Sequence, residues 1–399
     1  MATASPASLF GPQDFSLVLG GPLFQLLRKA HLSDDALTLV RGRIIVISTI
    51  AWLPLLALAL LQGEALGGAA RVPFLLDVDV HVRLLVAMPL LIGAELVVHR
   101  RMRKVVQTFL DRHLISEAAM PQFEDVVTST IRLRNSVVAE VLIIAIVYGI
   151  GVMVVWRHYT ALAAPTWYAS ASGGHFTPSP AGLWYGYVSV PMFQFLLCRW
   201  YFRLALWIRF LWKVSRLELN LVPTHPDRVG GLGFLAGTTF AFSLIVVAHG
   251  ALLAGQLANR IFFVGSRLTD YKGQIAVMVG FLLLIFLGPL LVFAGQLALA
   301  KQKGLREYGT LAERYVREFD AKWLRGGAAP GEPFVGSADI QSLADLANSF
   351  EVVRTMRMTP VTKETVLQFG LFALAPLAPL LLTMMPFEQL LRTLLGVLF

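Results

Sequence analysis

The chain has 399 residues, 56% of them hydrophobic and only 15% charged, with 34 Lys and Arg against 25 Asp and Glu. Soluble domains carry about 25% charged residues, so this composition, with a mean hydropathy of +0.66, excludes an ordinary soluble globule. The net charge of +9 does not indicate nucleic acid, because no basic cluster is interleaved with aromatic stacking platforms. The single cysteine, Cys198, excludes an intrachain disulfide and a multi-thiolate metal site.

Residues 1–43 read as an N-terminal segment that lies in the membrane interface. Within residues 13–32, Phe15, Leu17, Leu19, Leu23, Phe24, Leu26 and Leu27 precede Arg28 and Lys29, an amphipathic pattern interrupted at Gly20, Gly21 and Pro22. Ser33, Asp34 and Asp35 supply an N-cap and first-turn anions for the helix that follows.

Seven apolar stretches then read as spans: Ile44 to Leu61, Leu84 to Val98, Ser136 to Trp156, Leu183 to Tyr201, Gly233 to Ala258, Gln274 to Ala300 and Val366 to Met385. The second covers about 22 Å against a hydrocarbon core of about 30 Å, so it must extend or sit shielded. The connecting segments alternate in charge: 27 of the 34 cations fall in the first, third, fifth and seventh. Cytoplasmic loops retain Lys and Arg, which places the N-terminus inside and the C-terminus outside. The first long apolar run starts near Ile44, too deep for a cleavable signal, and the expected location is a bacterial inner membrane.

Between spans two and three, residues 99–135 form a cytoplasmic helical hairpin. Its second arm opens at Pro121, and Phe123, Val126, Val127, Ile131 and Leu133 carry it unbroken into span three. The outer loop over residues 157–181 is rich in Gly, Ser and Pro, and Trp156, Tyr159, Trp167, Tyr168, Trp184 and Tyr185 bracket it as an interfacial aromatic belt. Residues 301–365 form a second cytoplasmic hairpin. Leu305, Tyr308, Leu311, Tyr315, Phe319 and Trp323 extend span six as an amphipathic helix, and the Gly- and Pro-rich stretch 326–336 turns the chain. A second arm follows at Ile340, Leu343, Leu346, Phe350 and Val353. Residues 366–399 hold the seventh span and an outer amphipathic tail. One pentapeptide recurs, Ala254 to Ala258 and Ala294 to Ala298, both reading Ala-Gly-Gln-Leu-Ala; small residues four apart suit close helix packing.

Ionisable groups inside apolar helices are expensive and mark functional sites. Glu95, Glu140, Arg199 and Arg203 fall at one depth in the inner leaflet. Paired, they form a structural clasp; an acid left over titrates or binds a cation; the plainer reading is snorkelling with a static ion pair. Gln194, His249 and Gln256 are candidates for a polar pathway. Prolines at 54, 89, 191, 289, 376 and 379 interrupt five of the seven spans. The string Leu221 to Phe234 offers helix-terminal amides at Gly230, Gly231 and Gly233 beside Arg228, suited to a phosphate or lipid head group. Asp227 opposes an anion there, and instead caps the helix or joins His225 as a metal ligand; a plain structural turn is the first reading of the string. The Lys and Ser/Thr of a nucleotide loop are missing, and no protease, hydrolase or dinucleotide motif appears. No cofactor is expected.

Two strings, Thr224 to Phe234 and Ser337 to Leu346 with its continuation to Arg354, resemble strings in a group of bacterial polytopic membrane proteins of uncharacterised activity. That resemblance implies location and no activity. The expected fold class is all-α, a polytopic seven-helix membrane bundle with cytoplasmic helical hairpins. The expected function is ion or small-solute permeation. The alternative is a sensing or assembly scaffold recruiting a partner through the cytoplasmic helices, and a membrane-embedded lipid-modifying enzyme ranks third. Expected partners are the bilayer with its anionic head groups, further copies of the chain in a homo-oligomer, and a cytoplasmic protein; nucleic acid is not among them.

Overall fold

The computed structural model describes residues 15–29, 39–68, 70–156, 166–172 and 175–384. Ser33 to Asp35, Tyr159 and residues 385–399, with the expected outer tail, lie outside the described residues. Among those described, the chain is all-α apart from one antiparallel hairpin, β1 (Ala169–Ser172) with β2 (His175–Pro178), inside the expected outer loop.

Helix α1 (Pro22–Lys29) is short, and α2 (Val40–Leu61) is the first long apolar helix. Helix α3 (Val78–Asp111) runs for 34 residues, or about 51 Å, so the short second span is the middle of a long rod. Its start is fixed by Asp77, whose side chain accepts the Val80 amide. A widened turn over Val82–Ala87 leads into Pro89, where the missing amide would otherwise disrupt the ladder. The same device precedes Pro191, with a widened turn over Tyr185–Ser189.

Helices α4 (Glu117–Arg134) and α5 (Val137–Val152) were expected as one rod and instead meet at a 47° bend. Ser136 causes it: its hydroxyl accepts the Ala139 amide and begins a new helix directly after Asn135 closes the old one. Helix α6 covers residues 180–214. Helix α7 (Leu232–Val264) and the 57-residue α8 (Leu268–Leu324) follow, then α9 (Ala338–Arg354) and α10 (Lys363–Thr383).

Five helices, α2, α3, α7, α8 and α10, are long and apolar enough to cross a membrane, or six if the bent α4–α5 pair counts as one span. These apolar helices are compatible with a membrane-embedded protein. The structure thus supports five or six candidate spans in place of the seven expected. The difference is α6, which forms a helix through the fourth stretch but carries Arg199, Arg203 and Arg209 along with Gln194.

Helix α7 is the hub. More than half of its most apolar stretch is buried in the protein, far more than for α2, and it packs on α3 and α10. Two glycines permit this: a Cβ at Gly250 would collide with the Ala373 carbonyl of α10, and one at Gly255 would press on Asp79 and Val82 of α3. The second copy of the pentapeptide differs, since nothing lies within 4 Å of a Cβ at Gly295.

Two expectations for aromatic and N-terminal segments are revised. Trp167, Tyr168 and Tyr185 are buried in the protein. Trp167 sits edge-on to Phe74 at 4.9 Å and donates to Asp77 at 2.9 Å, so these rings build a core in place of a belt. Likewise Phe15, Ser16, Leu17 and Val18 are buried: Phe15 packs on Phe210 of α6, and Ser16 bonds His99 of α3 at 2.9 Å. A polar Ser flanked by three apolar residues satisfies itself here by accepting the Val18 and Leu19 amides, which allows the turn to enter the helical layer.

At the other end of the chain, α8 measures about 85 Å, far beyond one membrane core. Its polar half packs against α9. Asp339 ties the pair together, accepting from Lys322 at 2.8 Å and from Trp323 at 3.0 Å, while its carbonyl accepts from Tyr315 at 3.0 Å.

Candidate functional site: a buried arginine–glutamate cluster

Four helices deliver charged side chains to one buried point. Glu95 of α3 is 4% exposed. Its Oε1 accepts from Arg203 of α6 at 2.8 Å, and its Oε2 accepts from Arg43 of α2. Arg199, one turn before Arg203, lies 3.9 Å from Glu95 and 3.6 Å from Glu140 of α5. Arg203 also stacks over the Trp200 ring at 4.8 Å, and Trp200 anchors itself by donating to the Leu91 carbonyl at 2.9 Å.

The spacing explains the convergence. Arg199 and Arg203 are four apart on one helix face, so both reach the same neighbour. Glu140 stands in the first turn of α5 because Ser136 caps that helix, where its negative charge also suits the helix dipole. The N-terminal segment closes the cluster from one side: the Gly20 carbonyl accepts from Arg199 at 3.5 Å, and a Cβ at Gly21 would stand 2.8 Å from Glu140. Arg134 is held beside it by donating to the Ser16 carbonyl.

Beside the cluster lies a cavity of about 330 Å³, within the usual size range of small-molecule sites. Arg43, Glu95 and Arg199 form its foot, and side chains of α2, α3, α5 and α6 form its walls, chiefly apolar. Along α6 the cavity runs from Arg199 to Pro191, about 12 Å.

The structure therefore brings Glu95, Glu140, Arg199 and Arg203 together, and adds Arg43. That residue reads from sequence as a flanking cation, because nothing in a one-dimensional pattern tells an orientation signal from a buried partner. The pathway candidates are scattered. His249 is satisfied at both ring nitrogens, by Tyr201 Oη at 2.7 Å and the Ile245 carbonyl at 2.7 Å. The space beside it, about 10 Å³, holds at most one water. The Gln194 amide presses on Gly151, and Gln256 is exposed.

The loop before α7 is built around its own carboxylate. Asp227 accepts from the amides of Val229 at 2.9 Å, Gly231 at 3.1 Å and Gly233 at 2.8 Å. The amides of Gly231 and Gly233, considered for an external anion, are thus occupied by Asp227. Burial alone would push this carboxyl up, but the three amides and nearby His225 hold it below the ordinary aspartate value. Gly230 and Gly231 have φ of +65° and +99°, and Arg228 adopts +57° with its side chain exposed. His225 and Asp227 touch at 2.9 Å, but among the described residues no group of three or more His, Cys, Asp or Glu could hold a metal.

A second buried polar knot has no local signal in the sequence. Asp77 accepts from Trp167 and, at 2.8 Å, from Asn259, whose own oxygen accepts the Val78 amide at 3.0 Å. It lies 18 residues before Glu95, or about 27 Å along the α3 direction. Each end of the bundle is therefore locked by a different polar device. Comparison with protein-family models, with curated proteins and with solved structures finds no match to this chain.

Proposed function

We propose that the chain is a multi-pass protein of a bacterial inner membrane that moves an ion or small solute, with the arginine–glutamate cluster as its binding point. One observation carries this reading: charged side chains from three helices, backed by Glu140 of a fourth, converge at the foot of a sizeable cavity in the side of an apolar bundle. Such groups are costly in a membrane and are retained along substrate paths. In this reading the N-terminus, residues 99–135 and residues 301–365 face the cytoplasm, as the Lys and Arg distribution requires. The basic face meets anionic head groups, and the working unit is a homo-oligomer.

The test is electrical. Proteoliposomes on a solid-supported membrane, challenged with chloride, phosphate, short carboxylates and a long-chain carboxylate, should give a current with at least one of them that Arg199→Gln abolishes. Wild-type protein that gives none with any of them would end this reading.

One observation favours a second reading, in which the cytoplasmic helices recruit a partner. Leu324 and Val335 stand 69% and 88% exposed at the tip of the α8–α9 unit, an apolar end that a partner would cover. Electrically silent protein whose cellular role is lost on Leu324→Ser and Val335→Ser would favour it.

A further inference from the structure

The cavity and the charges at its foot together specify a kind of ligand. Among the described residues, Arg43, Arg199 and Arg203 face Glu95 and Glu140, three cations against two anions. Arg134 borders the same group through a small void shared with Glu140, Arg199 and Arg203, which widens the surplus. Glu95 is not an obstacle to an anion, because both its oxygens accept from arginines. Arg43 is 3% exposed, and its Nε has no hydrogen-bond partner among the described residues. A surplus guanidinium in a low-dielectric interior is expensive unless something pairs with it.

Above the foot the chemistry changes completely. Ile47, Ile92, Val147 and Leu196 line the cavity, one from each of the four helices. Its rim includes Ile144 and Tyr148, which are 47% and 48% exposed on α5. In a bilayer that rim faces hydrocarbon, so an occupant would arrive through the lipid phase. A hydrated inorganic ion suits neither the wall nor the route.

We propose that this cavity binds an anionic amphiphile, its acidic head at Arg43 and Arg199 and its hydrocarbon body between Ile47 and Leu196. The inference rests on the cluster being the solute site, and it names the class of solute. Arginine forks take a carboxylate or a phosphate in the same paired geometry, so a fatty acid and an acidic phospholipid share the required chemistry.

The probes are oleate, oleyl alcohol and dioleoyl phosphatidic acid, titrated against delipidated protein in nanodiscs of neutral phosphatidylcholine and read by native mass spectrometry. Oleate should bind saturably and at least about tenfold more tightly than the alcohol, as a charge-assisted contact requires. Leu196→Trp narrows the apolar part of the cavity and should weaken binding at least about tenfold, and Arg43→Gln should weaken it about tenfold. Competition between oleate and phosphatidic acid identifies which head is preferred. Equal binding of oleate and its alcohol, or full oleate binding by Leu196→Trp, would overturn the inference. Because the comparison of oleate with its alcohol uses wild-type protein, a variant that fails to fold does not protect the claim. Inorganic anion currents without amphiphile binding would overturn this inference and leave permeation standing. Saturable oleate binding with no current would do the reverse.

Discussion

Glu95 and Arg203 meet at 2.8 Å between α3 and α6, each with a side chain no more than 5% exposed. With Arg43 on the second oxygen, a single carboxylate joins three helices. Neutralising it as Glu95→Gln leaves several guanidiniums without their common acceptor, and breaking a buried pair in this way costs roughly 3–5 kcal/mol. Unfolding in mild detergent should show that loss. The double variant Glu95→Gln/Arg203→Met should recover part of it, whereas strictly additive losses would mean that the two side chains act independently.

The Asp227 loop should respond to acid. Its folded-state carboxyl lies below the ordinary aspartate value, so its contribution is fully present above that ordinary value. It disappears as pH falls through the lower, folded value. At neutral pH Asp227→Asn should therefore cost on the order of 1–3 kcal/mol, and the gap between the two melting curves should close as the pH falls below the ordinary aspartate value. A gap independent of pH would assign the cost to shape and not to charge.

The same loop offers a backbone test. Arg228 occupies the left-handed region that glycine enters freely, and Gly231 does so at φ +99°. Arg228→Gly should be neutral or slightly stabilising, and Gly231→Val should be clearly destabilising, by at least about 1 kcal/mol. Equal effects in thermal melts would contradict the geometry.

The repeated pentapeptide predicts an asymmetric pair. Gly255→Leu should disrupt the contact between α7 and α3, while Gly295→Leu should be tolerated, because one Cβ position is crowded and the other open. Gly295→Ala should even gain up to about 1 kcal/mol from helix propensity. Monodispersity and melting temperature of the purified variants would show the contrast.

Orientation is checked by labelling. In a Cys198→Ala background, Pro330→Cys should resist a membrane-impermeant maleimide in intact cells and react after lysis. Reaction in intact cells would reverse the proposed topology.

Much of the helical frame is legible because its signals are local. Ser136, Ser337 and Thr362 each cap the helix that follows, and apolar runs set the long rods. The pairing of Glu95, Glu140, Arg199 and Arg203 is legible too, since depth along opposed spans can be counted. What escapes is rotation about the helix axis. Whether Trp167 faces lipid or Phe74, or Arg43 faces a head group or Glu95, depends on neighbours remote in sequence. The bend at Ser136 escapes for a different reason: the apolar period continues through it, and only the competition of one hydroxyl for one amide marks the break.

The burial of residues 15–18 also bears on how the molecule is made. Their contacts lie on α3, α4 and α6, and Phe210 is not synthesised until half of the chain has emerged. The segment that leaves the ribosome early must wait, unplaced, until those helices have assembled around its final position. These early residues are therefore fixed only after α3, α4 and α6 are in place, so burial of Phe15 would serve as a reporter that those three helices have assembled.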